Sequence, residues 1–146
     1  MTSSDARERE QLGNEIAGLM GPLVRDLSAA FQICAAERGL ALSEAQALQL
    51  LKLRGTLTTK DLAQALDIDP ANASTLITKL ERRGLVDRQS AAADRRRRLA
   101  SLTTEGEETT QQIARCLAER RPSFRELETN ELVTFRDLLR RVARAR

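Results

Sequence analysis

The chain has 146 residues, with 41% hydrophobic and 31% charged residues and a formal net charge of +3. That describes one soluble globular domain, long enough to bury a sizeable core without staples. Histidine, tryptophan and tyrosine are absent and only Phe31, Phe124 and Phe135 are aromatic, which removes Ser-His-Asp and Cys-His nucleophile systems, imidazole metal sites and base-stacking platforms.

The first segment places Leu12, Ile16, Leu19, Leu23, Leu27, Ala30 and Cys34 at steps of three and four, the stripe of a long amphipathic helix. Gly21-Pro22 interrupts it, because proline lacks an N–H and disfavours helical geometry in the residue before it. A kink or a fresh start is expected there, and a stop at Gly39. Ser43 with Gln46 reads as a capping box for a second helix with Ala47, Leu50 and Leu51 inward, ended by Gly55. Thr58 with Asp61 repeats the pattern for a short helix through Leu66, with Leu62, Ala63 and Leu66 inside. Asp69-Pro70 then opens a helix with an N-cap acid and proline at the first helical position. It runs to Arg83 and stops at Gly84. Two helices separated by the tight turn from Leu66 to Asp69 have the sequence form of a helix-turn-helix. Leu85-Val86 and Leu99–Leu102 read as two short strands around the polar loop Gln89–Asp94. Helical pattern returns from Thr104, with Ile113, Cys116 and Leu117 apolar, and Pro122 breaks it. A last helix gathers Leu132, Phe135, Leu138, Leu139 and Val142 on one face.

The chemistry lies in the middle. On a helical wheel, Ala73, Leu76, Ile77 and Leu80 form the core face of the helix from Pro70, while Ala71, Asn72, Ser74, Thr75, Thr78, Lys79 and Arg82 lie outside it. Small hydroxyls near the N-terminus and cations near the C-terminus suit a helix entering a major groove. The same pattern also describes a solvated surface. The hairpin strengthens the DNA reading. Arg95, Arg96, Arg97 and Arg98 follow Asp94, and on a strand alternate residues face opposite ways, so one pair of arginines can meet DNA. An arginine at a hairpin tip suits a narrow minor groove, and Asp94 can hold one guanidinium in place. Of the 24 cations only Lys52, Lys60 and Lys79 are lysines, and the arginine fork matches phosphate and base edges better than a point charge. From Arg54 to Thr103 there are ten cations and six acids, a net +4 that exceeds the whole chain's +3.

The run LTTKDLAQALDIDPANASTLITKLERRGLVDRQSAAADRRRRLASLTTEGEE resembles the winged helix-turn-helix of the MarR family of bacterial transcriptional regulators. LERRGLVDR carries the likeness, together with the wing pattern of Asp94, Arg96, Leu102 and Thr103, followed by Gly106. The resemblance spans roughly residues 40–110. It implies a mainly α fold with a small β-hairpin wing. Residues 41–103 would form the DNA-binding lobe, and residues 1–40 and 104–146 the dimerisation helices of a single domain. It implies a homodimer on a pseudo-palindromic operator in double-stranded DNA, repressing until a small aromatic or phenolic effector releases it. Ser74, Thr75 and Thr78 match recognition-helix positions, and Asp94 and Arg96 match the wing. At Thr75 the family commonly has a long basic residue.

Some members of that family sense oxidants through cysteine. Cys34 and Cys116 both lie on apolar stripes and read as packing residues, with Cys34 the candidate for a redox role. Two cysteines are too few for a disulfide framework. A winged-helix module docking a protein partner is the competing class. The charged N-terminus MTSSDARERE has no apolar h-region and no stretch approaches the ~18–20 apolar residues of a membrane span, so a cytoplasmic protein without membrane contact is expected. No catalytic residue, cofactor or metal site is expected.

Overall fold

The computed structural model describes residues 3–91, 94–120 and 124–144; in residues 3, 90, 91, 94–98, 125 and 144 it describes the backbone alone. Six helices and a small sheet follow in the order α1 (Ser3–Ala36), α2 (Leu42–Arg54), β1 (Leu57–Thr58), α3 (Thr59–Leu66), α4 (Pro70–Arg82), β2 (Val86–Ala91), β3 (Asp94–Leu102), α5 (Thr104–Arg120) and α6 (Thr129–Arg144), with a 3-10 turn at Phe124–Glu126 before α6.

Helix α1 runs unbroken through Pro22, where the sequence suggests a fresh start. The residue before proline is a glycine, so the Cβ that usually clashes with the proline ring is missing. One lost hydrogen bond is then carried by the long helix around it. The chain leaves α1 at Gly39, whose φ of +63° suits glycine, and Leu40 N–H donates to the Ala35 carbonyl. The start of α2 differs from the expected Ser43–Gln46 box. Ala41 occupies the N-cap, and its N–H donates to Glu44 Oε2 at 2.9 Å. A carboxylate three residues into the sequence competes better for that N–H than an amide does. The Thr58–Asp61 box forms as expected, with Asp61 N–H donating to Thr58 Oγ1 and Thr58 N–H to Asp61 Oδ2. Asp69 is the N-cap of α4, but its side chain makes no capping bond.

The hairpin strands are longer than their apolar residues suggest, and a third strand joins them. The sheet order is β1-β3-β2, all antiparallel, with Leu57 opposite Ala100 and Val86 opposite Leu102. Polar and cationic residues extend both arms beyond the apolar positions because ladder bonds come from the backbone, not from side-chain type.

The core gathers Leu48, Leu51, Leu62, Ile77, Leu80, Val86 and Ile113, all fully buried, with Leu40, Leu57, Leu76, Leu85 and Ala100 around them. Cys34 and Cys116 are buried in this cluster, and their sulfurs are bonded to each other across a Cα separation of 5.8 Å. The packing expectation for the two cysteines therefore holds for burial but not for their chemistry. Two stripes on facing helices, 82 residues apart in sequence, meet at one point, and spacing alone does not reveal such a meeting. The staple ties α1 to α5.

Much of α1 and α6 is left uncovered. Leu12, Ile16, Leu19, Val24, Leu138 and Val142 are between 49% and 71% exposed. A cavity of ≈ 220 Å³ opens between these helices, lined by Met20, Leu23, Val24, Leu27, Ala30, Phe124, Phe135 and Leu139 with Asp26 and Arg120. Among the described residues, no helix is long and apolar enough to cross a membrane.

Candidate nucleic-acid interface

Helices α3 and α4 pack as a helix-turn-helix across the turn at Asp67, whose φ of +54° places it in the left-handed region. Ile68 N–H donates to the Ala63 carbonyl and closes the turn. Ala73, Leu76, Ile77 and Leu80 are buried, which turns Ala71, Asn72, Ser74, Thr75, Lys79 and Arg82 outward as the helical wheel requires. That row is exposed, and its hydroxyls sit on the N-terminal half.

Thr78 behaves differently. It is half-buried, and its hydroxyl is engaged twice. It donates to the Ser74 carbonyl at 2.9 Å and accepts from Arg88 Nη2 at 2.9 Å. The same Arg88 nitrogen donates to the Ser74 carbonyl at 3.1 Å, and Arg88 Nε lies 3.5 Å from Glu81 Oε2. Thr75 Oγ1 donates to the Ala71 carbonyl at 3.0 Å and keeps its acceptor lone pairs facing out.

A second arginine secures the far end of α4. Arg83 Nη1 donates to the Gly39 carbonyl at 2.8 Å and to Glu44 Oε2 at 3.2 Å, and its Nη2 donates to the Arg38 carbonyl at 3.3 Å. The C-terminus of α4 is thus tied to the α1–α2 connection and to the buried carboxylate that caps α2. Arg83 and Arg88 both belong to the ten cations counted between Arg54 and Thr103, yet each donates from its guanidinium to partners within the protein. Charge counting does not separate such residues from phosphate-facing ones.

The sequence carried a signal for Arg88. On β2 it has the same parity as Val86, which is fully buried, and it pairs with Ala100, which is also buried. Strand alternation therefore directs Arg88 inward, where a charge needs partners.

On the wing, Asp94, Arg95, Arg96, Arg97 and Arg98 lie on β3, with Arg98 opposite Ser90 and Asp94 opposite Ala91. The expected placement of their side chains lies outside the described residues. At the base of the wing, Thr103 Oγ1 donates to the Gly84 carbonyl at 2.6 Å and accepts from Gly106 N–H at 3.0 Å. That contact fixes the exit of β3 against the exit of α4. Beside the Cys34–Cys116 bond, Arg120 Nε donates toward Cys116 Sγ at 3.4 Å and its Nη2 pairs with Glu37 Oε1. Among the described residues, no group of three or more acids or cysteines is placed to hold a metal ion.

The MarR family model matches residues 38–97, the stretch from the end of α1 into the wing. The HTH-type transcriptional regulator FarR of Neisseria gonorrhoeae is 34% identical over 98 residues, covering 66% of this chain and 67% of that protein. This chain belongs to the MarR family. It is a DNA-binding transcriptional regulator and not an enzyme. Solved structures agree along nearly the whole chain. CouR from Rhodococcus jostii RHA1, bound to p-coumaroyl-CoA, superposes with a TM-score of 0.70 at 23% identity, covering 90% of this chain and 94% of its own. Bordetella bronchiseptica BpsR, whose DNA binding is regulated by 6-hydroxynicotinic acid, gives 0.63 at 26% identity, covering 88% and 92%. The MarR fold of helix-turn-helix, wing and long terminal helices is therefore shared.

Proposed function

We propose that this MarR-family chain is a homodimeric repressor that reads a pseudo-palindromic operator with the outer face of α4. The carrying observation is the orientation of α4. Its four apolar residues are buried, and Asn72, Ser74, Thr75, Lys79 and Arg82 face outward in one row. Short side chains let the helix approach base edges, while Lys79 and Arg82 meet phosphates. Asp94 and Arg95–Arg98 extend the contact into the neighbouring minor groove, Arg96 inserting and Asp94 steering it. In this reading residues 41–103 are the DNA-binding lobe in the cytoplasm, and residues 1–40 and 104–146 join two copies. A small aromatic or phenolic effector in the cavity between α1 and α6 would release the DNA. BpsR, regulated by an aromatic acid, and CouR, bound to an aromatic thioester, support that class of ligand.

Selecting duplexes from a random pool, then comparing affinities for the selected and a scrambled duplex, tests the reading. Thr75→Ala and Asn72→Ala are expected to weaken the selected duplex more than the scrambled one, by roughly 5- to 100-fold per good base contact. Arg96→Ala is expected to weaken both together and to lower the salt slope by about one. If no α4 variant changes the ratio between the two duplexes, α4 is not the reading element.

The Cys34–Cys116 bond favours a second input, the redox state. A disulfide inside a cytosolic protein is characteristically transient or redox-sensing. Reduction by a dithiol would break the S–S bond and deliver two electrons and two protons to give two thiols, the dithiol leaving as its own disulfide. DNA affinity measured before and after dithiothreitol should then differ in the wild type and not in Cys34→Ala. Equal affinities in both wild-type states would remove this input.

A further inference from the structure

Resting on the reading of α4 as the DNA-contacting helix, we propose that Arg88 is a specificity-determining positioning residue. It touches no DNA and acts by fixing α4 against the wing. Three observations carry this. The Arg88 side chain is 18% exposed, too enclosed to reach a phosphate. It comes from β2, the first arm of the wing, yet its Nη2 donates to both the Ser74 carbonyl and Thr78 Oγ1, in the middle of α4. Its Nε faces Glu81 Oε2, one turn further along the same helix. One guanidinium from a separate element therefore holds α4 through two hydrogen bonds at Nη2, with a looser ion pair at Nε, which makes no hydrogen bond of its own among the described residues. The angle between helix and wing is held by a planar fork that leaves little rotational freedom.

The consequence for Thr78 is direct. Thr78 is half-buried with its hydroxyl both donating to Ser74 and accepting from Arg88, whereas exposed Thr75 spends only its proton, on Ala71, and keeps its acceptor lone pairs outward. Thr78 belongs to the clamp, and the reading falls to Asn72, Ser74 and Thr75. The Ser74 carbonyl accepts from both Thr78 and Arg88, so the backbone beneath the Ser74 side chain is held from two sides. A shift of α4 by a fraction of an ångström moves every base contact and leaves the phosphate contacts of mobile lysines and arginines nearly intact. Loss of the clamp should therefore cost discrimination rather than general affinity.

The experiment compares Arg88→Ala, Arg88→Lys and Thr78→Val with the wild type on the selected duplex and its scrambled counterpart, across a salt series. Circular dichroism confirms that each variant is folded at the assay temperature. Arg88→Ala is expected to weaken the selected duplex by roughly 10-fold, the scale of a lost base contact, with the scrambled duplex within about 2-fold and the salt slope unchanged. Arg88→Lys should recover part of the loss, since an ammonium replaces the charge but not the fork. Thr78→Val leaves the arginine in place and should shift the ratio in the same direction. Combined with Arg88→Ala it should add nothing, as partners in one network do. If Arg88→Ala weakens both duplexes equally and the slope falls by about one, Arg88 is a phosphate contact and the proposal fails. If the ratio does not move in folded Arg88→Ala or in Thr78→Val, it fails as well. Should Arg88→Ala not fold, Thr78→Val alone decides. Thr75→Ala, run alongside, separates the two claims: no effect there refutes the α4 reading itself, whereas an effect there with none at Arg88 refutes only the clamp.

Discussion

A Cβ on Gly106 would lie 2.1 Å from the Leu85 carbonyl oxygen and 3.3 Å from Leu102 Cδ2. The carbonyl cannot retreat easily, because it accepts from Thr103 N–H where the wing meets α5. Gly106→Ala is therefore expected to destabilise the fold by about 1–3 kcal/mol, the range of an overpacked core, read as a lower urea midpoint at unchanged slope. An unchanged midpoint would mean that the α5 N-terminus moves freely against Leu85. This site was visible in the sequence only as part of the pattern from Leu102 to Gly106, since the carbonyl that makes glycine necessary belongs to a residue 21 positions earlier. The outer row of α4 was legible because helical periodicity separates Ala73, Leu76, Ile77 and Leu80 from the rest. Thr78 was not, because its half-burial depends on a side chain reaching over from another element.

Between elements, the bond that joins α1 to α5 decides how rigidly the two are connected. Cys34 sits two residues before the end of α1, and Cys116 four residues before the end of α5. Closing a loop of 82 residues restricts the unfolded chain, so reducing the bond is expected to lower stability by about 2–5 kcal/mol, with Cys116→Ser behaving like the reduced wild type. A thermal melt unaffected by dithiothreitol would show that the staple contributes nothing. Secondary structure along these helices was largely legible from caps and periodicity. What lay beyond local reading were the events between distant segments: the pairing of β1 with β3, the sulfur–sulfur bond, and the passage of α1 through Pro22, where Gly21 removes the expected clash.

For the whole molecule, the exposed apolar faces of α1 and α6 are the largest unfinished feature of a single chain. Ile16, Leu19 and Leu138 stand at 55%, 71% and 49% exposure, and apolar side chains left open on helix faces mark an interaction surface. A second copy related by a two-fold axis would cover the same residues on both partners. Leu19→Asp is accordingly expected to sediment as a folded monomer and to lose operator affinity, whereas a dimer unaffected by the change would place the interface elsewhere. The central claim joins that symmetry to the outward row on α4. Hydroxyl-radical footprinting of the wild type on its selected duplex tests it most directly. The account predicts two equivalent protected windows about one helical turn, ~10 bp, apart on one face of the DNA and related by a dyad. A single window, or two without dyad symmetry, would contradict it.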